Sequence, residues 1–351
     1  MRNRIAVAVF ALPAVAFAIA GCGGSADTNG SSSSGASTAA TAGSGSTKLA
    51  LVAYSTPQKV YADAIAAFNK TPAGSGIAFT ESFGASGDQS RSVVEGLPAD
   101  VVNFSLAPDI TRLVKAGLVS STWNANANKG IVSDSLVVFV VRKGNPKHIS
   151  GWSDLVRPGV GVLTPNPFSS GSAKWNLVAA YGAELKLGKT PAQADAYLQT
   201  LITKNVKAQD KSASAALQDF LSGNGDVLLS YESDAISAQK KGEPIDFVRP
   251  AQTILIEEPI AIASKTAHPT QAQAFVNFLW SAAGQAIFAK HGYRPVDAAV
   301  LKKYASSFPT PKDVFTIKQL GGWTAVDKQF FATPNGTIAK IESGAGVSTA
   351  Q

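Results

Sequence analysis

Thr164-Pro165-Asn166-Pro167-Phe168-Ser169-Ser170-Gly171-Ser172-Ala173-Lys174-Trp175 is the stretch that decides the fold. Two prolines hold the end of a strand rigid. Two serines and a glycine then open onto a helical segment carrying Ala173, Trp175, Leu177, Val178, Ala179 and Ala180. The first N–H groups of a helix have no partner within it and carry the positive end of its dipole. Small residues leave them uncovered, so the junction makes a seat for an anion, and it contains no acidic residue. The same residues also suit a plain N-cap, and they leave both readings open.

Outward from this loop, strands alternate with helices along the chain. Residues 48–54 alternate into an apolar strand, and Ser55-Thr56-Pro57 caps a helix with Val60, Tyr61, Ile65 and Phe68 on one face. Residues 77–82 read as a second strand, ending at Phe83-Gly84-Ala85-Ser86-Gly87 before another helix. Short strands follow at 99–105, 135–142, 160–163, 226–230 and 258–263, with helices at 110–116, 191–203, 270–280 and 282–291. This alternation predicts an α/β protein with mostly parallel sheets. In such sheets ligands sit beyond the carboxyl ends of strands. Four junctions there carry small or polar residues: Ser55, Ser86, Ser170-Gly171-Ser172 and Lys211-Ser212-Ala213. Their convergence on one point is the expected constellation. Capping and turn preferences would also place serine and glycine at such junctions.

The N-terminus gives an address. Arg2 and Arg4 precede an apolar run at 5–20, too short to span a bilayer comfortably. The run ends in Ile19-Ala20-Gly21-Cys22, so residues 1–22 read as a secretory signal. Those four residues resemble the lipobox of bacterial lipoproteins, whose cysteine is acylated. Cys22 is the one cysteine of 351 residues, which rules out an internal disulfide. Residues 23–47 are almost wholly Gly, Ser, Ala, Thr, Asn and Asp and read as a flexible tether, with a reach of ~25–30 Å. The remainder, roughly 300 residues, suffices for two lobes of about 150.

The formal charge of +7 falls to +5 without Arg2 and Arg4. The excess is scattered and forms no basic stripe, which argues against nucleic-acid binding. His148, His268 and His291 lie far apart, without metal-ligand spacing, and there is neither a Gly-x-Ser-x-Gly elbow nor a Walker loop. The expectation is a binding protein, with no enzyme activity and no cofactor. Trp152, Trp175, Trp280 and Trp323 are expected to fill cores or cover lobes.

Longer ordered runs carry a family likeness. They are Val141-Arg142-Lys143-Gly144-Asn145-Pro146-Lys147, Thr164-Pro165-Asn166-Pro167, Gly225-Asp226-Val227-Leu228-Leu229, Tyr293-Arg294-Pro295, and Phe315-Thr316-Ile317 with Gly321-Gly322-Trp323. On these runs the chain resembles the bacterial sulfate-binding and thiosulfate-binding proteins of sulfate ABC importers, from about residue 51 to 338. The resemblance implies the two-lobed type II periplasmic-binding-protein fold, with mixed, mostly parallel sheets, two crossover strands (135–141 and 257–263) and the ligand in the cleft. One lobe would hold 48–136 plus 258–351, the other 137–257.

Position by position, the resemblance implies an N–H from Ser55, a donating hydroxyl from Ser86, three successive N–H groups from Ser170, Gly171 and Ser172, and another from Ala213. Tyr231 stands where sulfate-binding members carry tryptophan, and leaves the preference between sulfate and thiosulfate open. Asp88 replaces a common lysine and Ser214 a common arginine, with Lys211 placed to compensate. The implied partners are sulfate or thiosulfate and the permease of an ABC importer, for a monomer held to the outer face of the cell membrane by its lipid alone. The alternatives are a receptor for another tetrahedral oxyanion such as molybdate, or an oxyanion sensor outside transport.

Overall fold

The computed structural model describes residues 40–41 and 47–350. The signal segment, the Cys22 lipobox and most of the tether lie outside the described residues. Within the stretch read as tether, Ala40–Thr41 (β1) pairs with Phe79 and Thr80, and the following strand already begins at Thr47. Among the described residues no helix is long and apolar enough to cross a membrane.

The other strands are β2 (Thr47–Tyr54), β3 (Ile77–Gly84), β4 (Val101–Asn103), β5 (Ile131–Arg142), β6 (Val162–Leu163), β7 (Val206–Ala208), β8 (Val227–Tyr231), β9 (Ile245–Val248), β10 (Gln252–Ile262) and β11 (Asp313–Phe315). Their order is β1-β3-β2-β4-β10-β5-β8-β6-β7, with β11 beside β10 and β9 beside β5. The expected parallel pairing holds within β3-β2-β4 and within β8-β6-β7. Among the described residues every antiparallel pairing between these strands involves β5, β10 or the short edge strand β1.

β5 and β10 tie the two groups together. β10 pairs with β4 through 260–262 and with β5 through 255–259, while the later half of β5 pairs with β8 through 137–141. Leu136 to Val141 are all buried, so this strand is apolar on both faces, as a strand covered on both sides must be.

The helices that matter for the site are α1 (Gln58–Phe68), α2 (Ser86–Val94), α3 (Ala107–Lys115), α4 (Gly171–Lys186), α5 (Pro191–Thr200), α6 (Ala213–Leu221) and α7 (Glu232–Lys240). All but α5 start where strands end. The helix expected at 191–203 ends as α5 at Thr200 and continues as a π-helical turn over Leu201–Asn205. α4 is buried almost all round from Gly171 to Glu184, which fits a helix packed between other elements.

The C-terminal stretch makes contacts with α4. The Trp323 ring stands 4.6 Å from that of Trp175, and the Phe330 ring 4.7 Å from that of Tyr181. Lys174 Nζ is 2.8 Å from Asp327 Oδ1.

Candidate functional site

The decisive loop is built by Asn166. Its side chain accepts from Phe168 N at 2.7 Å, and its carbonyl accepts from Ser170 N at 2.9 Å. Its own N–H donates to Asp210 O at 2.8 Å, which fastens the loop to the approach of α6. Asn176, fully buried in α4, donates to Thr164 Oγ1 at 3.0 Å and to Leu229 O at 2.9 Å. The start of α4 is thereby fixed against β6 and β8.

Ser170 occupies the N-cap position of α4 but makes no side-chain cap bond. Its hydroxyl lies 3.0 Å from that of Ser172 instead. The plain N-cap reading therefore fails here, and the first amides of α4, those of Gly171 and Ser172, keep their orphan character. One role must be corrected. The N–H of Ser170 is spent on Asn166 O, so Ser170 offers its hydroxyl rather than its amide. Gly171 is a glycine for a physical reason: a Cβ there would stand 2.7 Å from Ser105 Cβ and 2.8 Å from Leu106 Cδ2.

Ser86, at the first position of α2, needs a second correction. Its hydroxyl donates to Asp109 Oδ2 at 2.6 Å and accepts from Ser105 N at 3.0 Å. A hydroxyl has one proton, so what Ser86 can aim at a ligand is its backbone N–H. No side-chain cap covers the start of α2. At α6, Ser212 caps the N–H of Ala215 at 3.2 Å, and Ser214 N reaches Ser55 Oγ at 3.4 Å. The N–H of Ala213 is the first-turn amide left over.

Contacts link all four junctions. Ser214 Oγ donates to Ser55 O at 2.8 Å, joining α6 to the β2 loop. Ser169 Oγ donates to Lys211 O at 2.7 Å, joining the α4 loop to the approach of α6. Gly87 N donates to Ser169 O at 3.0 Å, joining α2 to the α4 loop. The two departures from the family pattern meet here as well. Asp88 is paired with Arg91 on one side and lies 3.2 Å from Lys211 Nζ on the other, so its charge is neutralised within the protein. Ser214 supplies no charge, but it makes the bonds to Ser55.

Tyr231 ends β8 with 1% exposure, its ring 6.3 Å from that of Tyr54. Its hydroxyl has no hydrogen-bond partner among the described residues. Burial pushes its proton affinity well above the ordinary tyrosine value, with the carboxyl of Glu258 adding to the effect, so it stays a neutral donor. The next residue, Glu232, is clamped by Arg294 at 2.6 and 3.0 Å and by Arg249, which fixes the strand end.

Ser105, Asp109 and Glu258 were not singled out from sequence. Ser105 and Asp109 flank the start of α3, and the strand-end rule would have found Ser105, because it follows β4. Glu258, with no exposed surface, accepts from Tyr54 Oη at 2.6 Å and from Ser133 Oγ. Burial pushes its carboxyl up to about 8. Among the described residues no group of three His, Cys, Asp or Glu side chains could hold a metal ion.

Residues 49–294 match the model of the bacterial extracellular solute-binding protein family. The chain belongs to that family. This solute-binding chain is 40% identical over 293 residues to the sulfate-binding protein of Synechococcus elongatus, covering 81% of this chain and 83% of that one. It is 36% identical over 283 residues to the thiosulfate-binding protein of Pseudomonas aeruginosa, covering 78% and 85%. Among solved structures, the sulfate-binding protein SubI of Mycobacterium tuberculosis matches with a TM-score of 0.79 and 47% identity, over 81% of this chain and 99% of that one. The resemblance read from the sequence holds, and so does the fold class: a mixed α/β architecture of the type II periplasmic binding proteins.

Proposed function

We propose that this chain is an extracytoplasmic binding lipoprotein that captures sulfate, with thiosulfate as a second ligand, and hands it to an ABC importer. The observation that carries the reading is the donor set. In this reading the first-turn amides of α2, α4 and α6 (Ser86, Gly171, Ser172 and Ala213) act with the hydroxyls of Ser170 and Ser172 and with the unpartnered, buried Tyr231 hydroxyl. Ser55 is joined to this group through Ser214.

None of these contacts is charged. Each becomes a charge-assisted hydrogen bond once a dianion is present, stronger than a neutral pair. Oriented amides and helix ends spread the stabilisation over the ion. The names of the relatives, sulfate-binding and thiosulfate-binding, support the same ligands.

The two strand groups joined by β5 and β10 support jaws that close on the anion. In this reading one lobe centres on 48–136 with 258–312. The other centres on 137–257 and carries most of the C-terminal stretch. Acylation at Cys22 would anchor a monomer to the outer face of the membrane, with residues 23–47 as its leash. No turnover of the anion is expected.

Isothermal calorimetry on a soluble form lacking the signal and Cys22 tests the ligand. One-to-one binding of sulfate with unchanged anion recovered afterwards supports the reading, and no heat with either sulfate or thiosulfate overturns it. Membrane fractionation of cells carrying Cys22→Ala tests the anchor: release into the soluble fraction is expected, and retention on the membrane overturns it.

A further inference from the structure

We infer that the cavity between the 120–130 loop and the helix α8 (Pro269–Trp280) is a binding site for a neutral sugar unit. It shares no residue with the anion site, and the inference does not depend on the oxyanion reading.

Sequence spacing makes one wall. Gln273, Asn277 and Trp280 stand at i, i+4 and i+7 of α8, so they share one face. Gln273 Nε2 donates to Asn277 Oδ1 at 2.8 Å, and this single bond orients both amides. It leaves Gln273 Oε1 as an acceptor and Asn277 Nδ2 as a donor, with no other partner among the described residues. Trp280 Nε1 donates to Ile131 O at 2.7 Å, which spends the only donor of the indole and fixes its ring. What Trp280 offers the cavity is therefore carbon surface.

The other wall is a loop fixed by its own bonds. Asn126 Oδ1 accepts from Asn128 N at 3.0 Å and from Gly130 N at 3.1 Å. Gly130 has a φ of +71°, and a Cβ there would stand 2.4 Å from Trp123 Cζ3. Glycine lets the backbone close on the Trp123 ring, which holds a second aromatic surface in place. Asn128 brings a further side-chain amide to the lining.

The lining decides the class of ligand. The cavity measures about 450 Å³, inside the ~300–1,000 Å³ range of small-molecule sites. No charged residue lines it, so an ion would lose water there without gaining a counter-charge. Two aromatic surfaces call for a ligand with an apolar face, and unspent amide groups call for hydroxyls around its edge. A pyranose ring has both. An extended peptide instead adds to a free strand edge. Here β10 is paired with β4 through 260–262, and Ile260 N is spent on Gly130 O at 2.8 Å. Walls already fixed before binding keep the ordering cost low.

Saturation-transfer NMR and calorimetry on the soluble form lacking the signal and Cys22 test this. The probes are glucose, galactose and N-acetylglucosamine as free sugars, maltohexaose as a chain, and trialanine as a neutral peptide. We expect saturation to reach sugar C–H protons, with a Kd of about 1 mM or tighter. The double variant Gln273→Ala/Asn277→Ala changes two exposed residues of α8. It should weaken sugar binding roughly 10-fold or more, as the loss of two hydrogen bonds requires. Its sulfate Kd and unfolding midpoint should stay at the wild-type values.

Tighter binding of maltohexaose than of glucose supports the inference and assigns the site to a glycan chain; equal binding supports it and assigns the site to a free sugar. No transfer to any of the sugars at about 10 mM, tenfold above the expected Kd, overturns it. So does transfer that survives the double variant undiminished, or binding of trialanine in place of the sugars. The oxyanion reading stands or falls separately, on sulfate binding by wild type.

Discussion

Lys211 Nζ lies 3.2 Å from Asp88 Oδ2, across the junction between the approach of α6 and the first turn of α2. Asp88 is an acidic residue in the first turn of α2, where the resemblance leads one to expect lysine. In the structure it is held by Lys211 and Arg91 together, and Gly87 beside it donates to Ser169 O. These contacts run between β2-β4-side and β6-β8-side elements, so they act when the two sides are together.

The sign of the Asp88 effect follows. If Asp88 acted on the anion through space, Asp88→Asn would tighten binding. As part of a contact between the two sides, it should weaken binding instead, by about 2- to 5-fold, because partly exposed pairs contribute only ~0.2–1 kcal/mol. Lys211 is 64% exposed, so the loss should fade at high salt. Calorimetry of Asp88→Asn in the native and Lys211→Ala backgrounds measures it. Tighter binding in both backgrounds would refute the contact role.

Gly171→Ala probes the close approach. The new methyl would press on Ser105 and Leu106 at under 3 Å, contacts that real side chains avoid. We expect sulfate affinity to drop at least 10-fold and the fold to lose ~1–3 kcal/mol, the usual cost of overpacking. A denaturant titration and calorimetry on the same preparation read both, and full retention of affinity would contradict the described geometry.

Tyr231→Phe should move two quantities in opposite directions. Removing a buried hydroxyl that has no partner should raise the unfolding midpoint of the ligand-free protein. Removing a donor to the dianion should weaken sulfate binding by ~1.5–3 kcal/mol. Differential scanning calorimetry with and without sulfate separates the two. A lower midpoint together with unchanged affinity would place the hydroxyl outside the site.

Much of this architecture was legible in the chain. The alternation of apolar strands and helices, the strand-end serines and the Pro-Asn-Pro loop located β2, β3, β8, α2, α4 and α6 and the four junctions. What escaped depends on partners distant in sequence. Whether the Ser86 hydroxyl is free is decided by Asp109, and whether the Ser170 amide is free by Asn166, and no periodicity records either. The strand expected at 99–105 ends on Ser105, two residues past the end of β4, but its tie to Ser86 is a contact between residues distant in sequence. β10 begins at Gln252, earlier than its apolar run suggests, because Glu257 and Glu258 look like surface charges although Glu258 is buried.

The buried carboxyls set a pH dependence. Burial pushes Glu258 and Asp134 up to about 8 and Asp234 up to about 6. Hydroxyls of Ser133 and Tyr54 oppose the shift at Glu258, Arg294 opposes it at Asp134, and Ser230 opposes it at Asp234. In each case the folded state holds a proton that the unfolded chain has already released, so folding binds protons and stability falls as pH rises. The contribution is whole below the ordinary carboxyl range and is lost as pH climbs through about 6 to 8. The unfolding midpoint at about pH 5.5 should therefore exceed that at about pH 8.5 at constant ionic strength, and Glu258→Gln should flatten the difference. A midpoint that rises over that interval would contradict these assignments.

The central claim is that backbone amides and hydroxyls, with no charged group, grip a fully deprotonated tetrahedral dianion. Competition calorimetry between sulfate and phosphate near neutral pH tests it most directly. Hydrogen phosphate carries a proton that the amides cannot accept and that a hydroxyl accepts only by giving up its own donation to the ion, and sites that leave a buried polar group unpaired discriminate by ~10⁴ or more. The account predicts one-to-one sulfate binding that phosphate displaces only at a ~10⁴-fold or greater excess; phosphate binding as tightly as sulfate would contradict it.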